Sequence, residues 1–199
     1  MNRPFNPAAE RNKAPILAVI APYLRAARVV LEIGAGSGQH ALHFAAELPH
    51  LRWQTSEQSA SLAGLAANLS DAGLANLLTP IELNVLHGPW PVQELDAVFA
   101  ANVVQCMTSP ALEALFQGVG TRLAADGVFL LYGPFNRDGR YTSEGNQQLD
   151  VWARSLDADF GLRDRAVVED LAAQHGLRLC EDHALPANNQ LLVWRRRDT

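Results

Sequence analysis

The chain has 199 residues, about the length of one large domain, and 48% of them are apolar, which is enough for a sizeable core. Its formal net charge of −5 argues against nucleic acid as a partner, because binding to phosphates needs clustered Lys and Arg. No run of 18 or more apolar residues occurs, and the polar N-terminus lacks the apolar core of a signal peptide, so we expect neither a membrane span nor secretion. Cys106 and Cys180 have no disulfide or metal spacing, and we predict one cytoplasmic domain over residues 1–199 without a metal.

Hydrophobic periodicity predicts an alternation of helices and strands along the chain. The predicted helices cover residues 10–26, 39–48, 59–72, 110–124, 145–157 and 165–175. The predicted strands cover residues 28–33, 52–57, 79–85, 95–104, 127–133, 177–184 and 190–196. Strands that alternate with long helices favour right-handed crossovers and a parallel sheet covered on both faces. The link between the last two strands is too short for a crossover helix, so these strands should be antiparallel neighbours. The predicted fold is therefore α/β, a doubly wound, mostly parallel seven-stranded sheet with an antiparallel C-terminal hairpin.

Three alternating glycines, Gly34, Gly36 and Gly38, follow the first predicted strand, and Glu32 precedes them. In a turn that binds a nicotinamide dinucleotide the glycines follow G-x-G-x-x-G, and the third would fall at the position of Gln39. The observed EIGAGSG pattern instead resembles motif I of class I S-adenosylmethionine-dependent methyltransferases, which also end their sheet in an antiparallel hairpin. The resemblance implies that S-adenosylmethionine binds at this turn. A glycine turn that only connects strand to helix is the alternative.

The resemblance also implies roles for single residues around this cofactor. The glycines would let the backbone approach its methionine part, and the following helix start would offer N–H groups to its carboxylate. Glu32 would accept a hydrogen bond from the amino group or from a water beside it. Glu57, 19 residues after Gly38, would bind two vicinal ribose hydroxyls with its two carboxylate oxygens. A solvated acid at the end of a strand is the alternative for Glu57.

Asn84 ends the third predicted strand, where many members of the class carry an Asp that accepts a hydrogen bond from the adenine amino group. The amide oxygen of Asn84 can still accept, although without charge assistance the bond is weaker. Val85 would supply a backbone donor. The predicted cofactor-binding residues are Glu32, Gly34, Ala35, Gly36, Gly38, Glu57, Gln58, Asn84, Val85 and Asn102.

Polar clusters follow the fourth, fifth and sixth predicted strands, whose carboxyl ends should meet at the edge of the sheet where ligands bind. The catalytic candidates are Asn102, Gln105, Tyr132, Asn136 and Tyr141. The predicted substrate rim consists of Arg11, Asn12, Phe135, Arg140, Ser143, Asn146, Asn188 and Asn189. For any one of these residues, turn formation is the alternative. The segment 1–27 is expected to be an N-terminal helix and a candidate lid over the cofactor.

Several longer segments strengthen this interpretation: ERNKAPIL, LEIGAGSGQHA, GPFN with GRYTSEGN, GLRD and PANN. Together they resemble a widespread bacterial and eukaryotic family of methyltransferase-like proteins classed as a domain of unknown function. The resemblance spans nearly the whole chain. It implies the class I methyltransferase fold but no established substrate.

We therefore expect methyl transfer from S-adenosylmethionine to an unidentified small-molecule acceptor by in-line displacement. A general base is needed only when the acceptor must lose a proton. His40 and His43 are expected to pack or face solvent, and His87 is the histidine that we expect at the rim. No Asn-Pro-Pro-aromatic motif of enzymes that methylate amino groups occurs, which favours a small molecule, although a protein acceptor stays open. The alternatives are a protein that binds the cofactor without transferring methyl and an NAD-dependent dehydrogenase.

Overall fold

The computed structural model describes residues 4–196 of the 199-residue chain, so residues 1–3 of the predicted N-terminal segment lie outside the described part. The helices are α1 (Pro7–Leu24), α2 (Gln39–Glu47), α3 (Ser59–Leu69), α4 (Ser109–Arg122), α5 (Glu144–Leu156) and α6 (Arg165–Gln174). The strands are β1 (Val29–Ile33), β2 (Arg52–Glu57), β3 (Ile81–Glu82), β4 (Leu95–Ala101), β5 (Leu123–Gly133), β6 (Leu177–Leu185) and β7 (Asn189–Arg196). None of these helices has the length and apolar character needed to cross a membrane.

The strands form one seven-stranded sheet in the order β3-β2-β1-β4-β5-β7-β6. Strands β1 to β5 pair in parallel, whereas β7 pairs antiparallel with both β5 and β6. This arrangement confirms the predicted doubly wound sheet with an antiparallel C-terminal hairpin. The strand order reverses between β1 and β4, and in such sheets the crevice beyond the carboxyl ends at this reversal is where ligands bind.

Both faces of the sheet are buried, as the apolar strands of a parallel sheet require. Successive residues of β4 alternate between the two sides: Ala97 and Phe99 pack on one face, Val98 and Ala100 on the other. Helices α1 and α2 cover the first face, and α4 and α6 cover the second. The helices thus hold the sheet as a rigid support for the loops at its carboxyl edge.

The predicted strand over residues 79–85 is reduced to Ile81–Glu82 at the edge of the sheet. The chain turns directly after it, because Asn84 Oδ1 accepts from Leu86 N at 3.1 Å and the Asn84 carbonyl accepts from His87 N at 3.0 Å. Local hydrogen bonds of an Asn side chain compete with strand pairing. Asn84 therefore lies in a turn beyond the strand.

The predicted strand over residues 95–104 ends earlier, at Ala101. Asn102 has a φ of 55°, in the left-handed region that Asn adopts more readily than most residues, and Val104–Cys106 then form a turn of 3₁₀-helix. The backbone N–H of Asn102 still donates to the backbone carbonyl of Tyr132 at 2.9 Å. The chain therefore leaves the sheet at the carboxyl edge immediately after Ala101.

Candidate functional site

The glycine turn between β1 and α2 adopts positive φ at each of its three glycines, with 67° at Gly34, 56° at Gly36 and 78° at Gly38. A Cβ at Gly34 would lie 2.6 Å from Val103 Cγ1, and one at Gly38 would lie 2.7 Å from Leu69 Cδ2. A Cβ at Gly36 would meet no atom within 4 Å. Positive φ favours glycine at all three positions, and the close side chains add to this at the first and third. Gly36 instead leaves free space into which a ligand can approach the backbone.

The carboxylate of Glu57 lies against this turn at the end of β2. Its Oε2 accepts from the Gly36 amide at 2.8 Å, and its Oε1 accepts from the Gln58 amide at 2.8 Å. Each oxygen has lone pairs left, so the fixed carboxylate can accept further hydrogen bonds. The side chain is half-buried and lies next to a cavity.

This cavity, which we call the cofactor cavity, has a volume of about 450 Å³ and lies beyond the carboxyl ends of β1, β2 and β4. Of the residues predicted for the cofactor, those in its lining are Gly34, Glu57, Gln58, Asn84, Val85 and Asn102. Gly36 faces a neighbouring opening together with Phe5 and Asn6. Ala35 is buried, and its amide donates to the Ser56 carbonyl at 3.0 Å. The sequence reasoning missed Cys106 and Phe160, which also line the cavity.

Glu32 differs from its predicted placement, because it lies in the core and does not line the cofactor cavity. Its side chain is only 1% exposed, and its Oε2 accepts from Trp53 Nε1 at 2.7 Å. Burial above all raises the pKa of Glu32 to about 8; the Trp53 hydrogen bond opposes this rise, and the nearby charge of Glu57 adds to it. Glu32 is therefore an acid that keeps its proton at neutral pH.

We expect Glu32→Gln to make the stability of the protein less dependent on pH. The folded protein keeps the Glu32 proton up to pH of about 8, whereas the unfolded chain loses it near its ordinary value of 4.5. The contribution of protonated Glu32 to the free energy of unfolding is thus fully present below pH 4.5. It is lost as pH rises to about 8, by at most about 1.4 kcal/mol per pH unit. Urea unfolding at pH 5 and pH 8.5 should show Glu32→Gln gaining on the wild type as pH rises. A constant difference, like that of the exposed control Glu82→Gln, would contradict this assignment.

A second cavity, which we call the acceptor cavity, has a volume of about 750 Å³ and adjoins the first. Five parts of the chain meet in it: the start of α1, the bend after β4, Pro134 directly after β5, helix α5 and the β6–β7 turn. The predicted residues that it brings together are Arg11, Asn12, Asn102, Gln105, Ser143, Asn146, Asn188 and Asn189. Asn102 and Cys106 line both cavities, so the two spaces meet at these side chains.

The other predicted rim and catalytic residues line neither cavity. Phe135 is fully buried and Tyr132 is 2% exposed, so both are core residues, consistent with the large gain from burying an aromatic ring. The backbone N–H of Asn136 donates to the backbone carbonyl of Arg163 at 2.9 Å, and this hydrogen bond fixes the loop after β5. Tyr141 donates to Asp150 Oδ2 at 2.9 Å, and Arg140 lies on an exposed tight turn. Of the loop that follows β5, Pro134 and Ser143 at its two ends line the acceptor cavity, whereas the residues between them do not.

Helix α5 presents one side to the acceptor cavity, with Asn146, Leu149 and Trp152 spaced three residues apart. Ser143 caps the helix by accepting from the Asn146 amide at 3.1 Å. Asn146 Nδ2 donates to Thr142 Oγ1 at 2.8 Å, which holds this side chain at the rim. The sequence reasoning missed Leu149 and Trp152, although their spacing from Asn146 is the helical signal that would have found them.

The start of α1 is attached beside the glycine turn. The backbone N–H of Asn6 donates to Gln39 Oε1 at 2.7 Å, and the side-chain Nδ2 of Asn68 donates to the Pro4 carbonyl at 2.8 Å. Asn12 Oδ1 lies 2.6 Å from Nε2 of His40. The burial of His40 lowers its pKa to about 4, so it is neutral at pH 7. The lid function of this segment stays a prediction, and its attachment at Gln39 and Asn68 gives that prediction a place in the fold.

His43 contacts the ring of Phe44, with ring centroids 5.9 Å apart, and its Nε2 is buried without a partner among residues 4–196. His87, which we expected at the rim, is exposed and lines neither cavity. No histidine therefore lines either cavity in the described part of the chain.

Solved structures of methyltransferases have the same fold. An O-methyltransferase family protein from Burkholderia thailandensis matches with a TM-score of 0.79 and 13% identity, over 96% of this chain and 60% of that chain. PigF with SAH matches with a TM-score of 0.78 and 17% identity, over 94% of this chain and 56% of that one. An O-methyltransferase family 2 protein from Planctomyces limnophilus in complex with apigenin matches with a TM-score of 0.75 and 14% identity, over 95% of this chain and 60% of that chain. This chain spans about 60% of these proteins at most, and the likeness confirms the class I methyltransferase fold.

A family model described as "Protein of unknown function (DUF938)" matches residues 3–196. The match contains every residue that lines the two cavities. It also contains all the longer segments that suggested a methyltransferase-like family of unknown function. The chain therefore belongs to the DUF938 family.

Proposed function

We propose that this protein is an S-adenosylmethionine-dependent methyltransferase that acts on a small-molecule acceptor. The observation that carries the proposal is the pair of adjoining cavities at the carboxyl edge of the sheet, which share Asn102 and Cys106. One is lined by Gly34 of the glycine turn and by the fixed carboxylate of Glu57, and the other is rich in side-chain amides. Two ligands bound in these cavities would meet at the shared residues, as a methyl transfer requires.

The residues of the cofactor cavity fit S-adenosylmethionine. The free space at Gly36, in the opening beside this cavity, suits the methionine part. The first turn of α2 has no side-chain cap from the described residues that would compete with a carboxylate for its N–H groups. Glu57 suits the ribose hydroxyls, since its side chain lines the cavity and each of its oxygens has lone pairs left. Asn84 and Val85 would then bind the adenine at the far end.

When bound, the cofactor supplies a methyl group, and its transfer needs an acceptor oxygen or nitrogen in line with the carbon–sulfur bond. The electrons of that bond return to sulfur, and the proton of the acceptor leaves to solvent. The protein's part is then to orient the acceptor and exclude water. The ionisable side chains of the described acceptor cavity are Arg11, Cys106 and Glu144. Burial raises the pKa of the Cys106 thiol, which makes it a neutral group rather than a base near pH 7. Positioning therefore accounts for this site better than general-base catalysis.

The acceptor cavity also favours a small molecule, because its volume of about 750 Å³ is that of a site for a drug-sized ligand. The solved structures of PigF with SAH and of the Planctomyces limnophilus protein with apigenin support the same choice of cofactor and acceptor size. Residues predicted for catalysis that remain candidates are Asn102 and Gln105, since both lie in the acceptor cavity.

Calorimetry with S-adenosylhomocysteine and with NAD tests the proposal. We expect the first ligand to bind and the second not to bind. A ligand at 100 times its dissociation constant would also raise the free energy of unfolding by roughly 2.7 kcal/mol. Binding of NAD alone would favour the dehydrogenase. Binding of S-adenosylmethionine without turnover across a broad acceptor panel would favour a protein that holds the cofactor without transferring methyl.

A further inference from the structure

The acceptor cavity contains a buried hydrogen-bond acceptor that the protein itself leaves unused. Gln105 lines the cavity and is only 5% exposed. Its Oε1 is buried and has no hydrogen-bond partner within residues 4–196. Buried polar atoms in folded proteins are nearly always paired, because an unpaired one has lost water without replacement. An unpaired oxygen beside a ligand-sized cavity therefore points to a donor on the ligand.

The orientation of the Gln105 amide is fixed by its other end. Its Nε2 donates to the Asn102 carbonyl at 3.1 Å, and a carbonyl oxygen can only accept. Turning the amide round would place two acceptors against each other. Oε1 is therefore the free atom, and only an O–H or N–H donor can satisfy it.

The remaining side chains around the cavity indicate a ligand without net charge. Amides dominate its polar surface, and the charged groups are one cation, Arg11, and one carboxylate, Glu144, both exposed. Leu149 and Trp152 give one side of the cavity an apolar surface. An uncharged molecule with an apolar body and a polar group at one end fits these surroundings.

We propose that the acceptor is an uncharged small molecule whose O–H or N–H donates to Gln105 Oε1, and that Gln105 is a substrate-binding residue that selects for this donor. The inference rests on the proposed function, because it identifies the class of molecule that the methyltransferase site takes. It also gives Gln105 two functions: Nε2 stabilises the bend after β4, and Oε1 orients the acceptor beside Asn102.

Matched aromatic probes test the inference on protein saturated with S-adenosylhomocysteine. Phenol and aniline carry an O–H and an N–H donor, whereas anisole and N,N-dimethylaniline lack it and benzoate carries a charge. Titrations followed by protein NMR should show phenol or aniline binding at least tenfold more tightly than its methylated counterpart and than benzoate. The comparison of phenol with aniline distinguishes an O–H from an N–H acceptor.

The variants Gln105→Met and Gln105→Leu remove the free oxygen. Met retains the length and flexibility of Gln, so it serves as the test if the Leu variant does not fold. Both should abolish the preference for donors by weakening the binding of phenol and aniline about tenfold more than that of anisole, whatever they lose in common with the Nε2 hydrogen bond. A purely structural role of Gln105 would weaken all probes alike. Gln190→Leu is the control, because Gln190 is equally buried at 6% exposure but lies outside the cavity.

The inference is wrong if neither donor probe binds, if donors and their methylated counterparts bind equally to the wild type, if benzoate binds most tightly, or if the Gln105 variants keep the preference. Calorimetry with S-adenosylhomocysteine on the wild type precedes these titrations. Failure of that binding would contradict the proposed function, whereas its success without a donor preference would contradict only this inference.

Discussion

Gly36→Val should abolish binding of S-adenosylhomocysteine while the protein stays folded. Gly36 is the glycine of the turn at which a Cβ meets no atom within 4 Å, so the valine side chain would occupy free space beside the backbone. If that space holds the methionine part of the cofactor, the branched side chain excludes it. The φ of 56° adds strain of about 1–2 kcal/mol, which lowers the stability without removing the fold. Calorimetry gives the affinity, and thermal unfolding gives the stability.

Gly139→Val is the matched control for the strain. Gly139 has a φ of 70°, and a Cβ there also meets no atom within 4 Å, but it lies on an exposed turn away from both cavities. The two substitutions should lower the thermal stability of the protein by similar amounts, and only Gly36→Val should abolish binding of S-adenosylhomocysteine. Wild-type affinity in Gly36→Val would place the cofactor elsewhere.

The fold was predictable because its main signals are local. Each predicted helix and strand has a counterpart in the structure, and the short link between the last two strands correctly indicated the antiparallel hairpin. The errors occur at strand ends, where single side chains decide. Asn84 ends β3 early by a local hydrogen bond, and Asn102 ends β4 by adopting positive φ. Hydrophobic periodicity does not detect either effect.

The candidate site was predictable where strand order decides and not where long-range packing decides. Strands that run in the same direction end at the same edge of the sheet, which brings Asn102 and Gln105 after β4 and Asn188 after β6 to one cavity. Phe135 belongs to a loop that looks polar in sequence, yet its ring is fully buried. Glu32 pairs with Trp53, 21 positions along the chain, and no local pattern predicts such a contact.

Glu57→Ala should weaken binding of S-adenosylhomocysteine by roughly 1.5–3 kcal/mol, the scale of a hydrogen bond to a charged group. That free energy corresponds to a dissociation constant about 10- to 150-fold higher. Part of the loss has a second origin, because the carboxylate also accepts from the Gly36 and Gln58 amides and so holds the glycine turn. Calorimetry of the variant with S-adenosylhomocysteine measures the total.

Two further variants separate these contributions. Glu57→Gln keeps an oxygen that can accept from one of the two amides but loses the charge, so an intermediate affinity indicates that both the turn and the ribose contact matter. Glu82→Ala removes the acid that pairs with Glu57 in register on β3, and because Glu82 lies outside the cofactor cavity its affinity should equal that of the wild type. A ligand that lacks the ribose hydroxyls, 2′,3′-dideoxyadenosine, completes the comparison with adenosine. If the carboxylate binds the ribose, Glu57→Ala weakens the binding of adenosine more than that of the dideoxy compound, whereas an equal loss for both would assign Glu57 to the glycine turn alone.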